Sequence, residues 1–276
     1  MTLTQYLTEL EQELVAAGEE AESLSFVYRA LNELSFTDFV LKLRTEVSRE
    51  DREQLKAIQE QLLAHKPAQY IIGSSDFNGL TLKVDERVLI PRPETEELVE
   101  LILSENPESS LSILDIGTGS GAIALALANS RPDWKITASD LSKDALSLAA
   151  ENAQSCGLNL TFVQSDCLDA IQGKFDIIVS NPPYISEADK DEVGLNVLTS
   201  EPHMALFAEE DGYAVYRKIA EQAGDYLTKI GKIYLEIGYK QGDGVRELLE
   251  KNFPQKRIRV LKDQFGKDRM VAVDNG

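Results

Sequence analysis

The sequence predicts an α/β protein in which a small helical domain and a β-hairpin precede a parallel, doubly wound sheet. Three observations predict this fold class. Apolar residues recur at helical spacing through the first 66 residues, an Asn-Gly turn signal follows, and strand and helix patterns alternate from Leu111 onward. Such alternation is typical of βαβ units, which build parallel sheets covered by helices. At 276 residues, the chain is long enough for one large α/β domain and a small one.

The N-terminal segment, residues 1–68, is predicted to be a helical bundle domain. Its apolar residues recur every three or four positions, beginning with Leu3, Leu7, Leu10 and Leu14. Ser48, and either Ser35 or Thr37, are candidate N-caps because acidic residues follow them. No catalytic combination of residues lies in this segment. Two interpretations stay open, a domain that docks the substrate and a cap that only stabilises the fold.

Residues 69–88 are predicted to form a β-hairpin linker. Gln69–Ile72 and Leu80–Val84 have the pattern of short extended runs. Asn78-Gly79 lies between them, and this dipeptide is a strong hairpin signal because both residue types tolerate positive φ.

Residues 89–276 are predicted to form the main domain. It begins with a rigid loop, in which prolines on both sides of Arg92 fix the direction of the guanidinium, and a helix follows to about Leu103. Strands are predicted at Ser112–Ile116, Ile136–Ser139, Leu160–Gln164, Phe175–Ser180, Lys232–Ile237, Ile258–Leu261 and Met270–Val273. Helices are predicted between them at about 121–130, 142–156, 211–228 and 242–252.

Composition narrows the functional classes. The formal net charge of −19 opposes broad binding to a nucleic-acid backbone, which requires Lys and Arg to displace counterions. The longest apolar run, Ala122–Ala128, is far too short to cross a bilayer, and the N-terminus has no basic signal-peptide segment. Two cysteines and two histidines show no metal-site spacing. We therefore expect a metal-free cytoplasmic protein without membrane contact or direct nucleic-acid binding.

A glycine-rich turn joins the first strand of the main domain to its helix. In Gly117-Thr118-Gly119-Ser120-Gly121, the glycines let the backbone turn sharply and approach a ligand closely. Asp140 closes the next strand, where its carboxylate can accept both ribose hydroxyls, and Asp166 closes the following strand. Together these residues predict a nucleoside-containing cofactor held across three strand ends.

The glycines alone do not separate NAD(P) from S-adenosylmethionine. Asp115 lies two residues before Gly117, where a carboxylate can organise the loop and face a cationic ligand. A pyrophosphate would be served poorly by such acidic surroundings. No residue pattern typical of hydride transfer lies near the strand ends. Both points favour the methyl donor, while an NAD(P) oxidoreductase and a non-catalytic binding module stay as alternatives.

Asn181-Pro182-Pro183-Tyr184 follows directly on the predicted strand Phe175–Ser180. Proline lacks an N–H and restricts the backbone, so the carbonyl groups of Asn181 and Pro182 are held stiffly and stay available. The Asn181 side chain adds an acceptor, and Tyr184 can lay a flat face over a planar group. We call Asn181–Tyr184 the Asn181 corner. Its acceptor groups and its aromatic ring suit a planar –NH₂ group, although a simple strand-to-loop turn would use the same residue types.

These motifs resemble those of the Rossmann-type S-adenosyl-L-methionine-dependent methyltransferases, and more closely the peptide chain release factor glutamine methyltransferases, the PrmC/HemK family. The resemblance covers essentially the whole chain. It rests on the N-terminal helical domain, the hairpin and the following motifs: Pro91–Glu96, Asp115–Gly121, Asn181–Ile185, Glu201-Pro202 with Asp211-Gly212, and Leu235–Gly238. It implies a Rossmann-like methyltransferase sheet and methylation of the glutamine amide in the Gly-Gly-Gln loop of class 1 release factors.

The resemblance also implies roles for individual residues. Gly117–Gly121 would cradle the methionine part of the cofactor, Asp140 would hold the ribose, and Asp166 and Cys167 would border the adenine. The Asn181 side chain and the Pro182 carbonyl would accept the substrate amide, with Pro183, Tyr184 and Arg92 also in the substrate site. One departure concerns Cys167, because the family often has tryptophan there; adenine stacking would then be weaker or come from another residue, such as Leu168.

Other substrates fit the same motifs. An adenine-specific nucleic-acid N-methyltransferase could use the Asn181 corner on a flipped base, but it predicts a basic, aromatic groove that a charge of −19 and 7% aromatic residues do not favour. A methyltransferase acting on the glutamine of a different protein is a closer alternative. We expect a monomer whose partner is a release factor.

Overall fold

A computed structural model describes residues 1–107 and 110–276 of the chain. These residues divide into two compact units. The helical unit comprises Met1–Ser75 and Val193–Glu201, and the sheet unit comprises Asp76–Glu192 and Pro202–Gly276. The helical unit is therefore discontinuous, because the chain leaves the sheet unit after Glu192 and returns to it at Pro202. The domain boundaries predicted from the sequence, which give residues 1–68, 69–88 and 89–276, stay predictions.

The helical unit is a bundle, as the apolar spacing predicts. Its first five helices are α1 (Leu3–Ala16), α2 (Glu22–Leu31), α3 (Phe36–Lys42), α4 (Arg49–Leu63) and α5 (Ala68–Ile72). The side chains of Thr2, Ser35 and Ser48 cap α1, α3 and α4 by accepting backbone N–H groups. The core includes apolar residues at helical spacing, among them Leu3, Leu7, Leu10, Leu14, Leu55, Ile58 and Leu62. Phe26 and Leu31 also fit the spacing but are exposed, and Leu24, Val27 and Tyr28 fill the core in α2.

Gln69–Ile72 is helical, so the prediction of an extended run there is wrong. Pro67 precedes the first turn of α5, where its fixed φ suits a helix start, and Gly73 ends the helix with a φ of 82°. Ala68, Ile71 and Ile72 pack against the core of the bundle. The sequence of four residues is compatible with either a strand or a helix, and the burial of these apolar side chains favours the helix.

A β-hairpin follows, and its turn confirms the Asn-Gly signal. Strands β1 (Ser74–Phe77) and β2 (Leu80–Lys83) flank Asn78 and Gly79. These two residues have φ values of 47° and 76°. Positive φ at both central positions is what a two-residue hairpin turn needs.

The sheet unit contains all seven predicted strands of the main domain. The chain runs through α6 (Pro93–Glu105), β3 (Ser112–Ile116), α7 (Ala122–Ser130), β4 (Lys135–Asp140), α8 (Lys143–Cys156), β5 (Thr161–Gln164), β6 (Phe175–Ser180), a 3-10 turn (Glu187–Glu192), α9 (Leu195–Ser200, in the helical unit), α10 (His203–Leu206), α11 (Ala214–Gln222), a 3-10 turn (Ala223–Asp225), β7 (Leu227–Glu236), α12 (Gly242–Asn252), β8 (Arg257–Lys262) and β9 (Asp268–Asp274). The helix predicted at 211–228 ends earlier, at Gln222, because β7 begins at Leu227.

The strand order of the sheet is β5-β4-β3-β6-β7-β9-β8. Strands β3, β4, β5, β6 and β7 pair in parallel, but β9 runs antiparallel to both of its neighbours, β7 and β8, so the prediction of a parallel sheet is wrong at this edge. The connection from β8 to β9 spans only residues 263–267, which is too short for a parallel crossover.

Alternating strand residues face two apolar clusters, so helices cover both faces of the sheet. Ile113 and Ile177 belong to the cluster that includes α7, whereas Leu114 and Ile178 belong to the cluster that includes residues of α11 and α12. The order of the sheet reverses between β3 and β6, where Ile116 is paired with Ser180. The residues that follow these two strands therefore meet at one edge.

Candidate active site

A cavity of about 410 Å³ lies at the carboxyl end of the sheet. It is lined by residues that follow β3, β4, β5 and β6, by the loop before α6, and by the segment from α10 into α11. Ligands of open α/β sheets bind at the point where the strand order reverses, which here lies between β3 and β6. The volume falls within the range of small-molecule sites.

The glycine turn after β3 offers exposed backbone to this cavity. Gly117, Thr118, Gly119 and Ser120 line it. Gly117 and Gly119 have φ values of 71° and 56°, and a Cβ added to either would meet no atom within 4 Å. Gly121 lies behind the lining at the start of α7, where a Cβ would stand 3.0 Å from Cδ1 of Leu125. The first two glycines thus leave room for a ligand, and the third allows close helix packing.

Asp115 is fully buried and lies outside the cavity lining, so the expectation that it faces a cationic ligand is wrong. Its Oδ2 accepts a hydrogen bond of 2.6 Å from the Thr118 hydroxyl. Burial raises the pKa of Asp115 to about 7. The sequence also predicts that Asp115 organises the loop, and its hydrogen bond with Thr118 in the glycine turn agrees with this.

Asp140 lines the cavity at the end of β4 and supports the glycine turn. Its Oδ2 accepts the N–H of Gly119 and its Oδ1 accepts the N–H of Ser142, each at 2.9 Å. Burial raises the pKa of Asp140, while these backbone donors oppose the rise. Each carboxylate oxygen has a second acceptor position. Asp140 can therefore still accept two hydroxyl groups, as ribose binding requires.

Asp166 and Cys167 line the cavity after β5. Asp166 forms a 2.7 Å ion pair with Nζ of Lys218, which also lines the cavity. Burial raises the pKa of the Cys167 thiol to about 11, so the thiol stays protonated at neutral pH. Leu168 is fully buried in the core and lies outside the lining, so it cannot supply the missing stacking surface. Leu141 supplies apolar lining surface instead.

The Asn181 corner brings acceptor groups to the same cavity. Asn181, Pro182 and Pro183 line it. Asn181 Nδ2 donates a 3.1 Å hydrogen bond to Oγ1 of Thr95, and the Thr95 hydroxyl donates a 2.6 Å hydrogen bond to the buried carboxylate of Glu236. Within the described residues, no backbone N–H donates to the carbonyl oxygens of Asn181 and Pro182. These oxygens and Oδ1 of Asn181 are therefore available to a ligand.

Of the four corner residues, Tyr184 is the one that lies outside the cavity lining. Its ring packs beside Gly238, where an added Cβ would stand 3.2 Å from the ring carbon Cδ2. Burial raises the pKa of Tyr184 to about 12, Glu236 adds to the rise, and Arg269 and Arg92 oppose it. Arg92 itself lines the cavity at the N-cap of α6. The contact of Tyr184 with a substrate amide stays a prediction.

Gln241 and Gly212 hold the backbone of this corner from behind. Gln241 Nε2 donates a 3.0 Å hydrogen bond to the carbonyl of Tyr184, and Gln241 Oε1 accepts the N–H of Gly238 at 3.0 Å. A Cβ at Gly212 would stand 2.2 Å from the same Tyr184 carbonyl oxygen. The close approach explains why glycine is needed at position 212.

One wall of the cavity was missed by the sequence reasoning. Residues 202–209 pair with the chain just after the corner, because Ile185 exchanges backbone hydrogen bonds of 3.0 Å with Leu206 and Ala208. Phe207, in the middle of this segment, lines the cavity. The sequence held only an indirect signal, the Glu201-Pro202 pair that accompanies the family resemblance.

The residues present fit a nucleoside cofactor with a methionine tail, since open glycine backbone and a ribose-type carboxylate border one cavity. Residues 95–206 match the methyltransferase small domain family, and residues 5–73 match the PrmC N-terminal domain family. The fold and the cavity, with these matches, define a Rossmann-like methyltransferase that uses S-adenosyl-L-methionine. The fold class, the enzyme class and the cofactor predicted from the sequence are confirmed.

Relatives identify the family. The chain is 65% identical to a release factor glutamine methyltransferase of Streptococcus pneumoniae, over 100% of this chain and 99% of that protein. It is 52% identical to one of Lactococcus lactis, over 94% and 96% of the two chains. The chain belongs to the release factor glutamine methyltransferase family, which confirms the resemblance. A methyltransferase of Pyrococcus furiosus, with 21% identity and a TM-score of 0.55 over 80% of this chain and 99% of that one, shares the fold.

Residues 1–107 and 110–276 contain neither a candidate membrane span nor a candidate metal cluster. No described helix is long and apolar enough to cross a membrane. No group of three or more His, Cys, Asp or Glu residues in these ranges could hold a metal ion.

Proposed function

We propose that this chain transfers a methyl group from S-adenosyl-L-methionine to the side-chain amide nitrogen of the glutamine in the Gly-Gly-Gln motif of class 1 peptide chain release factors. We further propose that it acts as a cytoplasmic monomer. Family membership supports the release factor as substrate. The observation that supports the proposal is that Asn181 and Pro182 line the cavity while their carbonyl oxygens accept no backbone N–H of the described residues.

The corner matches the chemistry of an amide acceptor. An amide nitrogen is a poor nucleophile because its lone pair is delocalised into the carbonyl group. Oδ1 of Asn181 and the carbonyl of Pro182 can each accept one N–H of the substrate amide. Two such hydrogen bonds aim the nitrogen and favour a more pyramidal geometry, in which the lone pair is more available. The proton can leave after transfer, so no strong base is required beforehand.

Positioning is then the main contribution of the protein. S-adenosyl-L-methionine supplies an electrophilic methyl group on a sulfonium centre. Reacting atoms held in line at about 3–3.5 Å gain most of the available rate advantage from orientation. Gly117–Gly119 would hold the methionine part, Asp140 the ribose, and Asp166 with Cys167 the adenine side. Arg92 would contact the substrate from the opposite loop.

An adenine-specific nucleic-acid N-methyltransferase is the second candidate, because an adenine amino group also offers two N–H donors. It is not favoured. The relatives are named for a release factor substrate, and a net charge of −19 opposes a nucleic-acid backbone.

Mass spectrometry of a purified class 1 release factor, incubated with this protein and S-adenosyl-L-methionine, tests the proposal. We expect one methyl group on the Gly-Gly-Gln glutamine. Asn181→Ala should reduce the rate by at least about 100-fold, because one of two orienting acceptors is lost. Its affinity for S-adenosylhomocysteine, measured by calorimetry, should stay close to that of the wild type.

Control substrates separate the candidates. DNA and RNA are incubated with the protein and S-adenosyl-L-methionine under the same conditions. If they become methylated while the release factor stays unmodified, the second candidate replaces the proposal. Full turnover by Asn181→Ala would refute the role of the corner while leaving the substrate assignment intact. Sedimentation of the purified protein tests the monomer.

A further inference from the structure

We infer that Glu236, acting through the Thr95 hydroxyl, fixes the orientation of the Asn181 carboxamide so that its oxygen, and not its –NH₂ group, faces the substrate. Thr95 and Glu236 are in this view positioning residues for the methyl transfer. The inference rests on the proposed function, since it concerns how the amide acceptor is presented.

Three separate elements supply the chain of hydrogen bonds. Glu236 ends β7, Thr95 lies in the first turn of α6, and Asn181 follows β6. Thr95 Oγ1 stands 2.6 Å from Oε2 of Glu236 and 3.1 Å from Nδ2 of Asn181. Thr95 and Glu236 are 4% and 1% exposed. Water therefore has little access to compete for the Thr95 and Glu236 side chains, whereas Asn181 is half-buried and lines the cavity.

The direction of the hydrogen bonds follows from the number of protons. An ionised carboxylate only accepts, and a threonine hydroxyl has one proton to give. That proton goes to Glu236, as the short, charge-assisted distance indicates. The Thr95 oxygen can then only accept, and Asn181 satisfies it with Nδ2. If the carboxamide were flipped, Oδ1 of Asn181 would face Oγ1 of Thr95, and neither oxygen would have a proton to donate. The unflipped orientation is therefore favoured, and it directs Oδ1 toward the cavity.

The same logic makes the orientation depend on the ionisation of Glu236. Burial raises the pKa of Glu236 to about 7; the Thr95 hydroxyl, Arg269 and Arg92 lower it, and Glu94 raises it. The phenol groups of Tyr184 and Tyr216 also interact with the charge of Glu236.

A protonated Glu236 could donate to Thr95 and free the Thr95 proton for Oδ1 of Asn181. That exchange would turn the –NH₂ group of Asn181 toward the –NH₂ group of the substrate, where two donors oppose each other. The charged form is the productive one, so kcat should fall as the pH drops through about 7.

Thr95→Val and Thr95→Ser form the matched test, because valine keeps the shape of threonine and serine keeps its hydroxyl. Methyl transfer to a release factor is measured from pH 6 to pH 9 at saturating substrates. We expect Thr95→Val to lower kcat about 10- to 100-fold, with unchanged affinity for S-adenosylhomocysteine. Thr95→Ser should recover most of kcat and keep the acid limb near pH 7, which Thr95→Val and Glu236→Gln should lose.

A double-mutant cycle separates positioning from general structure. In an Asn181→Ala background, Thr95→Val should lower kcat by less than about twofold further, because there is no carboxamide left to orient. An equal loss in both backgrounds would overturn the inference. So would a Thr95→Val enzyme with the kcat and the pH profile of the wild type.

A readout without substrate separates this inference from the proposed function. The side-chain amide resonance of Asn181, identified by its absence in Asn181→Ala, should titrate with the midpoint of Glu236 and lose that titration in Thr95→Val. A wild-type protein that methylates no release factor yet shows this titration would refute the proposed function alone. A resonance that is insensitive to both pH and Thr95→Val would refute the inference alone.

Discussion

Replacing Gly212 with alanine should displace the Asn181 corner without altering a residue that lines the cavity. Gly212 has a φ of 86°, and an added Cβ would stand 2.2 Å from the carbonyl oxygen of Tyr184 and 2.8 Å from Nε2 of Gln241. Carbon and oxygen atoms approach to about 3.3 Å at closest in ordinary contacts. The backbone at Gly212 and at Tyr184 would therefore have to separate by about 1 Å.

The expected loss of stability has two parts. A left-handed backbone conformation costs alanine about 1–2 kcal/mol, and loss of the hydrogen bond from Gln241 to the Tyr184 carbonyl costs about 1 kcal/mol. We expect Gly212→Ala to lower the free energy of unfolding by about 2–3 kcal/mol. A displacement of about 1 Å at a reacting centre lowers the rate by about 100-fold, so activity should fall more than stability does.

Gly266→Ala is the matched control. Gly266 has a φ of 78° and no atom within 4 Å of an added Cβ, so this variant carries the backbone strain without the contact. It should lose about 1–2 kcal/mol of stability and keep the wild-type rate. Urea titrations and initial rates at saturating substrates compare the two. A Gly212→Ala protein as active as Gly266→Ala would refute the reasoning.

Two further predictions concern carboxyl groups. Burial raises the pKa of Asp51, but hydrogen bonds from Lys42, Tyr28 and Ser48 outweigh burial and lower it from 3.8 to about 2. Such a group adds stability above pH 3.8 that is lost as the pH falls toward 2, so Asp51→Asn should cost about 2 kcal/mol at pH 7 and progressively less in acid; an equal cost at both ends of a pH series of urea titrations would contradict this. Asp140→Asn replaces one acceptor with a donor and should raise the Kd for S-adenosylhomocysteine at least about tenfold, which calorimetry would contradict by finding unchanged affinity.

Local chemistry explains the parts of the structure that could be predicted from the sequence. Ser35 and Ser48 cap helices because their side chains reach backbone N–H groups three residues ahead. The strand Phe175–Ser180 and the helix Gly242–Asn252 have the predicted limits because each combines a clear periodicity with distinct ends. The glycine turn could be predicted for the same reason, because its conformation depends mainly on its own residues.

Contacts between distant residues explain what could not be predicted. Thr95 is 86 positions from Asn181 and 141 from Glu236, and no local pattern links them. The direction of the Tyr184 ring depends on packing beside Gly238, far away in the chain. Leu168 looked available to the cofactor, but its burial follows from core packing that only the folded sheet reveals.

The discontinuity of the helical unit limits how the protein can be shortened. Helix α9 belongs to that unit although it lies between the Asn181 corner and α10 in the chain, and the hydroxyl of Ser200 donates to the carbonyl of His65. A chain cut to residues 76–276 would keep α9 and lose its packing partners. An isolated sheet unit would therefore need a linker from Glu192 to Pro202 in place of Val193–Glu201, and a natural loss of the helical unit would require two coordinated deletions.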